Sequence, residues 1–218
     1  MLSKVYTSST YGIDAYIVEV ETHVERNIPQ FTIVGLPDST VKESKERVIA
    51  AIKNTGIEYD NKKITINLAP ADIKKEGSAF DLPIAIGILA SNEIVSKDLL
   101  NDTIILGELS LDGTLRHIKG ALPITVEAKN RGFKRIILPM DSVKEASIVD
   151  GIDVYGLETF NDVINFLNNS LDDENKFKPF RTSKEEVFSK INTYHLDFSD
   201  VKGQENVKRA LEVAAAGG

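Results

Sequence analysis

Cationic side chains, rather than metal ligands, are the groups in this sequence whose spacing could support a function. Arg116, His117 and Lys119 follow the dipeptide Asp112-Gly113, and Lys74-Lys75 forms a second basic pair. Such cations could contact phosphates or a protein partner, although a solvated charged surface is the simpler explanation. The three histidines show no ligand spacing, so we expect no metal site. They are His23, His117 and His195.

The composition argues against several other classes of site. The 218 residues include no cysteine, which excludes disulfides, thiolate metal ligands and thiol nucleophiles. The net charge of −7 argues against a nucleic-acid-binding surface over the whole protein, but it is compatible with a local basic patch. No apolar run approaches the roughly 18 residues needed to cross a bilayer, and the N-terminus lacks the apolar segment of a signal peptide. We therefore expect a cytoplasmic protein without membrane contact.

Hydrophobic periodicity predicts a run of strands followed by alternating strands and helices. Residues 2–35 have extended character, and the later strand segments are 64–68, 104–110, 114–116, 135–138 and 154–155. Helices are predicted from Asp38 or Ser39 to Asn54-Thr55-Gly56 and over 81–91, 121–130, 142–149, 160–167 and 204–216. This order favours an α+β or mixed α/β fold over a doubly wound sheet.

Two local patterns refine this prediction. The Asp112-Gly113 dipeptide predicts a hairpin between the strand segments 104–110 and 114–116. Helix 81–91 is apolar on nearly every side, so it should be buried, and Asp81 stands where an N-cap residue is expected.

The chain changes character near residue 169. Residues 170–196 begin with a polar and charged stretch that is typical of a linker, and a new structured element starts at Asp197. We therefore predict a domain over 1–169, a linker over 170–196 and the start of another module over 197–218. A helical pattern that runs into the last residues suggests a piece of a longer protein.

Three groups of strings, in order along the chain, carry a family resemblance. They are Phe31–Asp38; Asn67–Asp72 with Lys74–Pro83; and Gly107–Leu109 with Asp112-Gly113 and Gly120–Pro123. The chain resembles the N-terminal region of ComM/YifB-type magnesium-chelatase-like proteins over about residues 1–170, and again over 197–218. The resemblance implies an α+β fold of the ribosomal protein S5 domain 2-like type, similar to the Lon proteolytic domain, followed by an AAA+ ATPase module.

The resemblance also implies a function for the parent protein. Family members resemble ring-forming motors that act on DNA in natural transformation and branch migration, so the expected partners are further copies, as a hexamer joined through the ATPase module, and DNA. Gly203-Gln204 matches the pair that lies beside the adenine in that family. The sequence has no G-x-x-x-x-G-K-[ST] loop to hold phosphates. We expect no cofactor in this chain and Mg-ATP in the parent.

Similarity to Lon raises the question of peptidase activity, which there depends on a serine nucleophile and a lysine base. When the Lon serine string is laid over Lys74–Asp81, the nucleophile position falls on Ala79. When the lysine string is laid from Gly113, the base position falls on Leu122. Neither side chain can perform the reaction, so the resemblance predicts a non-catalytic accessory domain.

Two alternatives remain open. A one-residue slip would put Ser78 at the nucleophile position with Lys119 as the nearest base, which would give a Lon-like serine–lysine peptidase. The second alternative is a chelatase-type domain that binds another protein and no DNA. If the degenerate site binds DNA or a partner, we expect Arg116, His117, Lys119, Lys74 and Lys75 to make the contacts.

Overall fold

The alternating residues near the N-terminus form a long β-hairpin, as their two-residue period predicts. In the computed structural model, which describes residues 1–57, 62–169, 177–182 and 197–217, β1 (Leu2–Tyr11) pairs antiparallel with β2 (Asp14–Glu25). The remaining strands are β3 (Gln30–Val34), β4 (Lys63–Ala69), β5 (Thr103–Ile105), β6 (Glu108–Leu109), β7 (Leu115–Arg116), β8 (Arg135–Pro139) and β9 (Asp153–Leu157).

Seven of these strands form one mixed sheet in the order β3-β4-β2-β1-β5-β8-β9. The pairs β1–β2 and β2–β4 are antiparallel, whereas β3–β4, β1–β5, β5–β8 and β8–β9 are parallel. The fold is therefore a mixed α/β fold with a mostly parallel central sheet, which agrees with the expected fold class at that level.

Among the residues described before position 170, five helices pack on the two faces of the sheet. They are α1 (Ser39–Asn54), α2 (Asp81–Ser91), α3 (Ala121–Asn130), α4 (Val143–Ala146) and α5 (Phe160–Asn169). Residues of α1, α2 and α5 share one core cluster with Ile105 and Ile137, and residues of α3 and α4 share another with Ile104 and Ile136. Since neighbouring side chains of a strand point to opposite faces, the sheet separates the two clusters.

Helix boundaries follow the sequence closely except for the helix predicted over 142–149, which is confined to Val143–Ala146. Asp38 caps α1 by accepting a hydrogen bond from the Val41 amide at 2.7 Å, as one of the two predicted caps. The expectation that Asp81 caps α2 is wrong, because Asp81 is the first helical residue and its carboxylate bonds elsewhere. As predicted, every residue of α2 is buried.

The predicted strand 104–110 is divided between two sheets. Thr103–Ile105 belongs to the large sheet, and the chain then turns at Gly107 so that Glu108–Leu109 pairs with Leu115–Arg116. Gly107 suits the crowded turn, since an added Cβ would lie 3.1 Å from a methyl group of Leu82. The hairpin at Asp112-Gly113 is confirmed: Gly113 has φ +87° and the Asp112 carboxylate accepts from the Thr114 amide at 3.0 Å.

The chain divides into two units, Met1–Arg181 and Thr182–Gly218. In the first, Phe180 bridges to Val154 of β9 and Arg181 pairs with Asp153 at 2.5 Å, so contacts within this unit continue past residue 169. In the second, Asp197 caps a 3-10 turn at Phe198–Asp200, and α6 (Glu205–Gly217) follows. Most of the predicted linker 170–196, with His195, lies outside the described residues. None of the described helices is both long enough and apolar enough to cross a bilayer.

Candidate functional site

Two of the family-like segments meet at one cleft. The loop after β4 leads through a 3-10 turn, Ser78–Phe80, into α2, and the chain after β5 runs beside it. Backbone hydrogen bonds join them, from the Gly107 amide to the Ala79 carbonyl at 3.1 Å and from the Leu82 amide to the Gly107 carbonyl at 3.0 Å. The cleft has a volume of about 350 Å³ and is lined by residues 8–10, 76–80 and 117–119 with Glu108 and Ile124.

The two positions that the predicted register assigns to the Lon dyad do not share this cleft. Ala79 lines it, whereas Leu122 lies outside its lining, at the start of α3, with its side chain 37% exposed. The Leu122 amide donates to the Glu145 carboxylate at 2.9 Å. An alanine methyl and a leucine side chain offer neither a nucleophile nor a base at these positions.

The alternative pair, Ser78 and Lys119, does line the same cleft, but the serine has a different partner. The Ser78 hydroxyl donates to the Glu108 carboxylate, and no hydrogen bond between Ser78 and Lys119 occurs among the described residues. A serine nucleophile needs a base within hydrogen-bond reach of its hydroxyl. The described geometry therefore gives Ser78 an acidic partner rather than the lysine of a dyad.

Glu108 also organises the rim of the cleft. Its carboxylate lies 3.6 Å from the Arg116 guanidinium across the β6–β7 pair, and Arg116 donates from Nε to the Ser110 hydroxyl at 2.7 Å. The Arg116 side chain is 63% exposed, so this ion pair is solvated and contributes little to stability. It does reduce the positive charge that Arg116 presents to a ligand.

A buried serine forms a hydrogen bond with the His117 ring. Ser142 is 1% exposed, and its hydroxyl lies 3.0 Å from His117 Nδ1 and accepts from the Ile118 amide at 3.1 Å. A hydroxyl has one proton and two lone pairs, so Ser142 can donate to Nδ1 or accept from it, and the imidazole tautomer decides which. Arg116, His117 and Lys119 are all exposed on this rim.

The predicted basic pair Lys74-Lys75 is split by the fold. Lys74 is exposed and pairs with Glu76 at 2.7 Å, and this hydrogen bond raises the pKa of Lys74. Lys75 is fully buried, and its ammonium donates to the carbonyls of Pro70 and Ile73, the latter at 2.6 Å. The expectation that Lys75 contacts DNA or a partner is therefore wrong, because its charge is turned inward to satisfy backbone carbonyls.

Beneath the cleft lies a buried ion pair that the sequence analysis missed. Asp81 is fully buried and accepts from both Arg47 Nε at 2.6 Å and Nη2 at 3.0 Å, and from the Leu109 amide at 3.2 Å. Burial raises the pKa of Asp81, although Arg47 opposes the shift. The pair joins α1, α2 and β6. One signal in the sequence could have indicated it, because Arg47 follows the buried position Ser44 by three residues and therefore lies on the same side of α1.

Gly203 and Gln204 lie in the second unit, immediately before α6. Both have positive φ, +72° and +62° respectively, and the Gln204 carbonyl accepts from the Val207 and Lys208 amides at 2.9 Å each. The described residues of this unit form a turn and a helix, and the predicted role of the pair beside an adenine stays a prediction.

Comparison with known proteins places this geometry in a family. A family model described as subunit ChlI of Mg-chelatase matches residues 20–142. The competence protein ComM of Haemophilus influenzae is 41% identical over 220 residues, which cover 99% of this chain and 42% of that protein. The uncharacterized protein YifB of Escherichia coli is 42% identical over 217 residues, 100% of this chain and 41% of that protein.

A more distant similarity is to a Lon protease. Lon protease 2 of Bacillus subtilis is 30% identical over 128 residues, which cover 58% of this chain and 22% of the protease. This chain spans less than half the length of each of these relatives.

Proposed function

This chain belongs to the magnesium-chelatase family defined by subunit ChlI, and from that premise we propose that it is a non-catalytic assembly domain of an AAA+ ATPase. The parent would act in competence, as the name of ComM indicates for that relative. In the proposal the domain has a Lon-like, S5 domain 2-like fold, assembles into a ring, and leaves Mg-ATP hydrolysis and DNA movement to the ATPase module.

The single observation that carries the non-catalytic role is the partner of Ser78. Its hydroxyl donates to Glu108, while the aligned nucleophile position is Ala79. A Lon dyad needs a neutral lysine amine beside the hydroxyl, and a carboxylate that is already paired with Arg116 is a weaker base than such an amine. These contacts support the interpretation that the cleft is present without a serine–lysine dyad.

Charge at the cleft supports a protein-contact role over direct phosphate binding. Arg116 and Lys74 each have a carboxylate partner, Glu108 and Glu76, and the whole chain carries a net charge of −7. Phosphate binding draws its free energy from cations that release counterions, so neutralised cations contribute less. Lys119 is the exposed cation of this rim that could still reach DNA, and it defines the DNA-binding alternative.

Mg-ATP would be bound by the parent's ATPase module. Gly203 and Gln204 would lie beside the adenine, and the phosphates would be held by a Gly-rich loop with a lysine, which the printed sequence does not contain. Hydrolysis would therefore be a property of the parent and not of these 218 residues alone.

A peptidase assay tests the non-catalytic role. The purified chain is incubated with an unfolded protein substrate, beside Ser78→Ala and Lys119→Ala variants. We expect the same negligible cleavage in all three. Cleavage by the native sequence that disappears in both variants would overturn the proposal and establish the serine–lysine alternative.

A sedimentation experiment tests the assembly role. The parent protein and a form that lacks residues 1–169 are compared with Mg-ATP over a range of protein concentrations. We expect the shortened form to hydrolyse ATP but to dissociate from its ring at a higher concentration than the parent. Identical dissociation of the two forms would contradict assembly. Salt-dependent DNA binding that vanishes with the deletion would instead support the DNA-contacting alternative over the protein-only one.

A further inference from the structure

A second hollow lies beside the β1–β2 hairpin, apart from the cleft. It has a volume of about 450 Å³ and is lined by Tyr11, residues 14–16 and residues 72–74. Pockets that hold small ligands or single side chains fall in the range of roughly 300–1,000 Å³. The hollow is therefore large enough for one inserted side chain and its stem.

The hairpin and the loop after β4 fix the walls of this hollow. Gly12, with φ +62°, allows the tight turn that places Tyr11 and Asp14 opposite each other. The Tyr16 hydroxyl donates to the Lys74 carbonyl at 3.0 Å and so ties the hairpin to the loop. Tyr11 is 78% exposed, so burial in a core does not account for an aromatic ring at this position.

The charge in the hollow is unbalanced. Among the described residues, the side chains of Asp14 and Asp72 form neither an ion pair nor a hydrogen bond, and both are exposed. The two nearby lysines are occupied, because Lys74 pairs with Glu76 at 2.7 Å and Lys75 donates to backbone carbonyls. Two exposed carboxylates thus line the same hollow as the two tyrosines, and Asp72 also interacts electrostatically with the buried Lys75.

We propose that the hollow between Tyr11, Tyr16, Asp14 and Asp72 binds an arginine side chain presented by a partner polypeptide. A guanidinium group stacks on aromatic rings and donates paired hydrogen bonds to carboxylates, and its apolar stem packs against residues such as Ala15 and Ile73. Lysine, a compact charge without a planar face, matches these walls less well. Nucleic acid is excluded as the occupant because its phosphates would meet the two carboxylates.

This inference goes beyond the proposed function and does not rest on it. The hollow shares no lining residue with the cleft, and the argument uses neither Ser78 nor the ATPase module. Failure of the peptidase or sedimentation tests would leave it standing, and its own failure would leave the assembly role untouched.

The test uses the 218-residue chain and a short peptide with one central arginine, with the citrulline peptide as the neutral control. Backbone amide signals are followed by two-dimensional NMR as peptide is added. We expect saturable shifts confined to residues 11–16 and 72–74, weakened by added salt and absent with citrulline. The Asp14→Asn/Asp72→Asn variant should bind at least about tenfold more weakly, while Asp141→Asn, an exposed aspartate elsewhere, should bind normally.

Each other outcome would overturn the proposal. These are the absence of saturable shifts with the arginine peptide, equal shifts with citrulline, shifts centred on another surface, and unchanged affinity in the double variant. Since Asp14 and Asp72 are exposed, the variants should fold, and superimposable signals from the core residues would verify this. A Tyr11→Leu variant separates the contribution of the aromatic ring to binding from that of the carboxylates, because it removes the ring and keeps both carboxylates.

Discussion

The segment 74–81 buries a charge near each end, and the two charges are satisfied in different ways. Lys75 and Asp81 are both 0% exposed. Lys75 donates to the carbonyls of Pro70 and Ile73, which are close to it in sequence. Asp81 accepts from Arg47 and from the Leu109 amide, which belong to other elements. The first charge holds one loop together, whereas the second holds three elements together.

This difference shows which charge the fold depends on. Backbone carbonyls that lose Lys75 can turn toward water or toward each other within a surface loop. Asp81 has no such freedom, because it lies in the first turn of the fully buried α2. A buried ion that loses its partner keeps its desolvation cost, and this makes the loss of one member of a buried pair expensive.

The sharpest test of this comparison is Arg47→Met, which keeps the length of the side chain and removes its charge. We expect a loss of roughly 3 kcal/mol in the free energy of unfolding, at the low end of the ~3–5 kcal/mol range for a broken buried pair, since Arg47 is 22% exposed. Urea titration measures it. Arg131→Met, which breaks the solvated pair with Glu127, should cost under about 1 kcal/mol.

The cost of Arg47→Met should also depend on pH. Burial raises the pKa of Asp81 above 3.8, and Arg47 opposes that rise, so the variant's Asp81 pKa should be higher still. Between 3.8 and the folded pKa, the folded state binds more protons than the unfolded state, so stability falls as pH rises. That window is wider in the variant. The stability gap should therefore grow from acidic toward neutral pH, and a constant gap would show that Asp81 is not the group left unpaired.

At the other end of the segment, Lys75→Met should cost less, about 1–2 kcal/mol. The variant leaves two carbonyls without a donor, but it also removes a buried charge. Lys74→Met is the matched control and should change the unfolding free energy by under about 0.5 kcal/mol, because the Lys74–Glu76 pair is exposed. A loss as large as that of Arg47→Met would refute the distinction between the two ends.

The effect of Lys75 on stability should depend on pH in the alkaline range. Burial lowers the pKa of Lys75 below 10.5, so the folded state loses this proton first as pH rises. Over the window between the lowered pKa and 10.5, the unfolded state binds more protons, and stability rises with pH. We expect the wild type to gain stability relative to Lys75→Met across this window in urea titrations.

Ser78 lies between the two buried charges, and its substitution should lower the free energy of unfolding by less than the loss of either charge. Ser78→Ala removes the hydrogen bond to Glu108, and we expect a loss of about 0.5–1.5 kcal/mol. A double-mutant cycle with Glu108→Ala isolates the contact, and a coupling near 1 kcal/mol would support it. Additive losses would mean that the two side chains act independently.

The sequence predicted most of the helices and strands, but fewer of the contacts that their side chains make. Periodicity located the helices at 39–54 and 81–91, since both bury a regular face or all faces. It joined 104–110 into one strand because apolar pattern alone does not show that Gly107 turns the chain into a second sheet. The motif register selected Ser78, Ala79 and Lys119, which line one cleft, and their roles stay predictions. The sequence pattern grouped Lys75 with the exposed cations and assigned Asp81 as an N-cap, because position in the sequence does not show which charged side chain points into the core.

The smallest expected effect is on DNA affinity, and it comes from the solvated cations on the exposed rim of the cleft. In the parent protein, Arg116→Ala/Lys119→Ala should lower DNA affinity by less than about threefold, because Arg116 is already paired with Glu108. Arg131→Ala/Lys134→Ala, whose cations pair with Glu127 and Asp102, is the matched control. Each lost phosphate contact reduces the slope of log affinity against log salt by about 1. A slope lower by about 2 for the rim variant alone would show that these cations bind phosphates despite their partners, and the cleft would then be a DNA contact.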